Sequence, residues 1–179
     1  MSIQLLATQG RDRIHSGLAA IDSSRLRQMR NTAIRTCFSR LDEAEYRLQY
    51  EARIHDMEFI NDAAARSVNA TWYALQRLSG DIIWIAFGGD SQSDYRQLQT
   101  LALCKVRMLI CVGADNGPLH DAFRHVVPTI VDADTIGAAV RTACRSGISE
   151  ATVLFSPATP QGLSDETAGL LFRHEVNEL

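Results

Sequence analysis

The chain has 179 residues, 46% of them hydrophobic and 22% charged, the balance of an ordinary globular protein. That length suits one well-cored domain with an appendage and excludes two full-sized enzyme domains. The formal net charge of -3 and sequence pI near 5.9 argue against nucleic acid as a partner, because neutralising phosphates takes a concentrated basic surface. No charged leader precedes an apolar run, and no stretch nears the roughly 18 consecutive apolar residues that span a bilayer, so no membrane partner is expected and the expected compartment is the cytoplasm.

Residues 1 to 45 differ in character from the rest. Ile14, Leu18, Ile21, Leu26, Met29, Ala33, Phe38 and Leu41 recur at spacings near three and four, which predicts one or two amphipathic helices interrupted at Gly10, Gly17 and Asp22-Ser23-Ser24. This helical segment is the expected route to a protein partner or a second copy of the chain. From Tyr46 the pattern changes to a hairpin, with Tyr46 to Ile54 and Met57 to Ile60 joined by His55-Asp56. A helix around Ala64 to Leu78 follows, then a buried strand Asp81 to Phe87, a helix Tyr95 to Cys104 and a strand Arg107 to Val112. Pro118 suits the first turn of a helix running to Arg124. Val126 to Val131 reads as a strand, Thr135 to Arg145 as a helix capped by Asp132 or Asp134 and ended by Gly147, and Ala151 to Phe155 as a strand. The last helix covers Asp165 to Asn177, with Ser164 as its cap. Near-continuous apolar strands alternating with helices predict a Rossmann-like α/β fold over residues 46 to 179, a parallel sheet sandwiched by helices.

In such sheets ligands gather beyond the carboxyl ends of the strands. Asn61 and Asp62, Gly88-Gly89-Asp90 with Gln92, Gly113 to Gly117, Asp132 to Asp134 and the loop from Ser156 through Thr159 to Gln161 occupy those positions. Cys37, Cys104, Cys111 and Cys144 have no C-x-x-C spacing and the five histidines are scattered, so no metal site is expected. Lys105 is the sole lysine, which leaves one source for a compact ammonium.

The run Met57 to Leu75, MEFINDAAARSVNATWYAL, resembles the start of the C-terminal domain of the Mur ligases. These are ATP-dependent enzymes that join amino acids to the muramic acid precursor of peptidoglycan, and the D-glutamate-adding branch is the nearest match. There the segment typically reads Asn-Asp-Ser-Lys-Ala-Thr-Asn, followed by Ala-Thr and Ala-Leu. Asn61, Asp62, Ala65, Ala70, Thr71, Ala74 and Leu75 fit, whereas the family's Ser, Lys, Thr and Asn fall on Ala63, Ala64, Arg66 and Ser67. Gly88, Gly89 and Asp90 match a second motif whose lysine position falls on Gln92 or a neighbour. A glutamine can hydrogen-bond a carboxylate without neutralising it. The two glycines read equally as a tight strand-to-loop turn. Ser156-Pro157-Ala158 is the third match, and Phe38 with Tyr46 to Glu51 resembles the junction with the preceding domain.

The resemblance implies a Rossmann-like fold and a crevice at the strand ends built from Asn61, Asp62, Arg66, Thr71, Gly88, Gly89, Asp90, Gln92, Ser156 and Thr159. No Gly-x-x-Gly-Lys-Thr/Ser phosphate loop is present in the sequence. With the motif lysines replaced as well, the expectation is a Mur-ligase-like domain without catalytic residues or cofactor, acting as a binding or regulatory module. The alternatives are a sensor of a nucleotide, amino acid or muropeptide, and a ligase domain that completes the site of a separate ATP-binding chain.

Overall fold

A computed structural model describes residues 45 to 179 apart from 89 and 161. The helices expected between Ile14 and Leu41 lie outside the described residues. The described part opens on a hairpin, β1 (Gln49–Ile54) and β2 (Met57–Asn61), whose turn places His55 at φ 53. Then come α1 (Val68–Arg77), β3 (Asp81–Phe87), a 3-10 turn (Tyr95–Leu98) running into α2 (Gln99–Lys105), and β4 (Val106–Val112). The order continues with α3 (Gly117–Phe123), β5 (Thr129–Ala133), α4 (Ile136–Cys144), β6 (Ala151–Phe155) and α5 (Asp165–Asn177).

The strands form one six-stranded sheet in the order β1-β2-β6-β3-β4-β5, parallel from β2 to β5, with β1 antiparallel at one edge. The chain steps outward from β3 to β5 and then returns to insert β6 between β2 and β3. Right-handed crossovers therefore put the helices made before and after that reversal on opposite faces. Two cores follow from the strand alternation. Ile83, Ile85, Val153 and Phe155 face α4 and α5, while Ile82, Trp84, Leu109 and Leu154 face α1, α2 and α3. Phe155 stacks on Phe172 of α5 at 5.1 Å, and Trp84 meets Phe123 of α3 edge-on at 5.3 Å.

Strand β1 begins at Gln49 instead of Tyr46, and the expected helix from Tyr95 opens as a 3-10 turn; three further differences from the sequence expectation have a local reason. Helix α1 begins at Val68 because Asp62 to Arg66 form a turn, with the Ala65 amide donating to the Asp62 carbonyl, and because the Ser67 hydroxyl accepts from the Ala70 amide as N-cap. Strand β5 begins at Thr129 because the Val126 and Val127 amides both donate to the Phe123 carbonyl, which closes α3, and Pro128 has no amide hydrogen to offer. The cap of α4 is Thr135, whose hydroxyl accepts from the Ala138 amide, in place of the expected Asp132 or Asp134. At α5 the Ser164 hydroxyl accepts from the Thr167 amide, so this serine is a cap as its spacing predicted. Among the described residues no helix is long and apolar enough to cross a membrane.

Candidate functional site

At the carboxyl ends of β2 and β6 a polar clasp ties three loops together. Asp62 is fully buried, and its carboxylate accepts from Arg47 Nη1 at 3.0 Å, from the Leu48 amide at 3.2 Å and from Ser156 Oγ at 3.0 Å. Ser156 and Thr71 share a hydroxyl hydrogen bond of 2.8 Å, and the Ser156 carbonyl accepts from Trp84 Nε1 at 2.8 Å. Arg47 is itself buried, and its Nη2 donates to the Ala70 carbonyl. Burial pushes the Asp62 carboxyl up to about 7, opposed by the Arg47 guanidinium, the Ser156 hydroxyl and the Leu48 amide. Tyr46, Leu48 and Ala158 hold left-handed backbone around the clasp at φ 58, 47 and 62, a conformation that non-glycine residues adopt only when neighbouring contacts enforce it.

Asn61 lies beside this clasp. Its side-chain amide donates to Glu51 at 2.7 Å and to the Gly169 carbonyl at 3.0 Å, while its oxygen accepts from the Ala63 amide. Asn61, Asp62, Thr71 and Ser156 are thus brought close together, Thr159 lies next to Tyr95, and all five have no solvent exposure. In this conformation Asp62, Thr71 and Ser156 tie the loops to one another. Gly88 answers to close approach. A Cβ there would fall 2.2 Å from Asn116 Oδ1 and 2.4 Å from the Asp115 carbonyl, and the backbone needs no left-handed angle. Gly89 lies outside the described residues.

Beyond the clasp a polar hollow of about 490 Å³ opens between the start of α1 and the loop after β3, lined by Arg66, Ser67, Asn69, Asp90, Gln92, Ser93 and Gln97 among others. Three predicted residues meet here. The Arg66 guanidinium is held by the Pro160 and Leu163 carbonyls across the β6 to α5 loop. Asp90 is buried and shaped by its own loop, accepting from the Gln92 amide at 3.0 Å and from the Ser93 hydroxyl. The Tyr95 phenol, pushed up to about 12 by burial and by the Asp90 carboxylate, stays protonated next to Ser93 and Thr159. The hollow thus combines one arginine held by two carbonyls with the Asp90 and Asp94 carboxylates, an amide and several hydroxyls, a polar lining of mixed charge.

Sequence reasoning missed Arg47, because an arginine in an exposed-looking Tyr-Arg-Leu-Gln run carries no sign that it pairs with a carboxylate fifteen positions on. It also left Lys105 without a place. Its Nζ donates to the carbonyls of Leu75, Gln76 and Leu78 at 2.7, 3.1 and 2.7 Å. It closes the carboxyl end of α1, at the amino ends of the strands and so at the end of the sheet opposite the hollow, since β4 begins at the next residue.

The chain is 35% identical over 182 residues to the UDP-N-acetylmuramoylalanine–D-glutamate ligase of Porphyromonas gingivalis, covering all of this chain and 40% of that protein. The enzyme of the same name from Christiangramia forsetii is 35% identical over 153 residues, covering 86% of this chain and 34% of its own length. The chain is a Mur-ligase-like domain. It spans about 40% of the length of the curated Porphyromonas relative, in line with the C-terminal Mur ligase domain that its motifs resemble. The fold is also that of part of the bifunctional folylpolyglutamate synthase/dihydrofolate synthase of Yersinia pestis, with a TM-score of 0.53 at 18% identity over 76% of this chain and 32% of that one. No protein-family model matches the chain. The Mur-ligase relation links the domain to enzymes of peptidoglycan precursor synthesis, and its described residues place alanines at the two positions where the family motif carries Ser and Lys.

Proposed function

We propose that this domain is a non-catalytic Mur-ligase-like module that binds, or regulates through binding, in peptidoglycan precursor synthesis. One observation carries the reading. The sole lysine, Lys105, is fully engaged with the end of α1, while Ala63 and Ala64 stand where the resembled motif has its serine and lysine. Ligation through an acyl phosphate needs positive charge held against the transferring groups, and an alanine offers none. Arg66, within that segment, is tied to two carbonyls of another loop, and Arg47 is buried against Asp62.

A second reading, a sensor of a nucleotide, amino acid or muropeptide, is supported by the polar hollow between Arg66 and Gln92. The missing lysine removes chemistry but leaves hydrogen-bonding capacity, so recognition survives where catalysis does not.

Replacing the matching segment of the Porphyromonas gingivalis ligase by this chain tests the first reading. The chimera is expected to fold and to form no D-glutamate ligation product; turnover near the parent's would overturn it. Calorimetric titration of the chain with Mg-ATP, D-glutamate and UDP-N-acetylmuramoyl-alanine tests the second. Saturable binding lost in Arg66→Ala supports a sensor, and no heat with any of the three removes that reading.

A further inference from the structure

Toward the other edge of the sheet, away from the hollow, three side chains of metal-ligating type converge. Cys111 of β4 and Asp132 of β5 are partners in the parallel ladder, so their side chains leave the sheet on one face, the face that α3 covers. His120 reaches back from α3 and brings its Nε2 within 2.9 Å of Asp132 Oδ1. Sulfur, imidazole nitrogen and carboxylate oxygen all lie within 4.8 Å of one another. We propose that Cys111, His120 and Asp132 form a binding site for a divalent transition-metal ion of the zinc class, with its remaining coordination position open to solvent.

The donor set points to zinc, since one thiolate, one imidazole and one carboxylate match its borderline-soft preference and exclude magnesium and calcium, which take oxygen ligands. Tetrahedral zinc with bonds of 2.0 to 2.3 Å needs its ligand atoms about 3.4 to 3.7 Å apart. The observed spread closes by small side-chain rotations of His120 and Asp132, which are 40% and 58% exposed, with the His120–Asp132 hydrogen bond giving way to the ion. Cys111 is fully buried and forms the floor of the site, so an ion enters from the solvent side along the edge strand β5.

A supporting layer is already in place. Asn116 Nδ2 donates to Asp132 Oδ1 at 2.9 Å and to the carbonyls of Cys111 and Gly113 at 3.3 and 3.2 Å. One amide thereby orients the carboxylate and pins the strand end that bears the thiol. His120 and Asp132 form a surface pair, and Cys111 sits beneath them where the apolar core under α3 meets that pair. On binding, the sulfur exchanges its proton for the metal and the proton leaves to solvent, with no change of oxidation state.

The test uses the whole chain with Cys37, Cys104 and Cys144 replaced by serine, so that Cys111 is the remaining thiol, titrated with Co²⁺. The expected result is one equivalent bound, with a near-ultraviolet thiolate-to-cobalt charge-transfer band and visible d–d bands, all abolished by excess Zn²⁺. His120→Ala and Asp132→Ala alter exposed side chains, so the fold survives, and each is expected to weaken Zn²⁺ binding by at least ~10-fold with unchanged circular dichroism. Cys111→Ser is expected to remove the charge-transfer band. No saturable Co²⁺ uptake, uptake without a thiolate band, or Zn²⁺ affinity unchanged in His120→Ala would each overturn the proposal.

Discussion

Arg47→Met isolates the energetics of the buried clasp. The substitution keeps most of the side-chain volume but removes the guanidinium that faces Asp62 at 3.0 Å and the donor to the Ala70 carbonyl. In the wild type burial pushes the folded-state Asp62 carboxyl up from its ordinary value near 3.8 to about 7. The folded chain therefore holds a proton that the unfolded chain has lost over that window. Stability is fully present below about pH 4, falls as pH rises toward 7, and then levels off. The interval corresponds to about 4 kcal/mol at 1.36 kcal/mol per pH unit. Without Arg47, desolvation acts with less opposition and the folded-state value moves higher still. Below pH 7 both proteins carry a protonated Asp62, and the variant loses hydrogen bonds alone, about 1–3 kcal/mol. Above pH 7 the wild type stops losing stability while the variant continues, so the gap widens by up to about 1.4 kcal/mol per pH unit. By pH 9 it reaches the range of about 3–5 kcal/mol found for broken buried ion pairs. Urea unfolding of both proteins at pH 6, 7.5 and 9 measures this. A gap independent of pH, or one that narrows as pH rises, would refute the reasoning. The double variant Arg47→Met/Asp62→Asn should lose the pH dependence and cost less than the sum of the two single changes.

Two glycines with similar surroundings on paper should respond differently to alanine. In Gly169→Ala the new methyl would lie 2.3 to 2.8 Å from the Tyr46 ring, a buried aromatic that cannot retreat, so a loss of about 1–3 kcal/mol or more is expected by thermal or urea unfolding. In Gly137→Ala the methyl meets the Glu175 carboxylate at 2.4 Å, the mobile end of a side chain that can swing away from Arg141, and the ~1 kcal/mol gain in helix propensity leaves stability nearly unchanged. Lys105→Met strips three carbonyls at the end of α1 of their donor and should cost about 1–3 kcal/mol, with faster amide exchange over Ala74 to Arg77. Thr135→Ala removes the cap of α4 and should cost about 1 kcal/mol, whereas Asp134→Ala, which makes no cap bond, should leave stability within about 0.5 kcal/mol.

The strand and helix pattern was written locally. Asp81 to Phe87 and Ala151 to Phe155 are continuous apolar runs bounded by turn residues, and their strands have those limits in the structure; Ser164 followed by Asp165 and Glu166 marked the start of α5 in the same way. These features depend on side chains within a few positions of one another, which is the range over which sequence periodicity and capping act. The three motifs at strand ends carried the Mur-ligase resemblance for the same reason, since a parallel sheet sends all such ends to one side.

What each of those residues does was decided by contacts between distant parts of the chain. Asp62 meets Arg47 15 positions away and Ser156 94 positions away, and that distance in sequence converts a presumed ligand carboxylate into the centre of a buried clasp. Lys105 became a helix-end donor because β4 starts beneath the last turn of α1. Cys111, His120 and Asp132 became neighbours through the register of β4 against β5 and the return of α3 across them. Local chemistry specified the elements of this protein, while burial, strand order and register, which no short window of sequence contains, determined which polar side chains face one another and which remain open to a ligand.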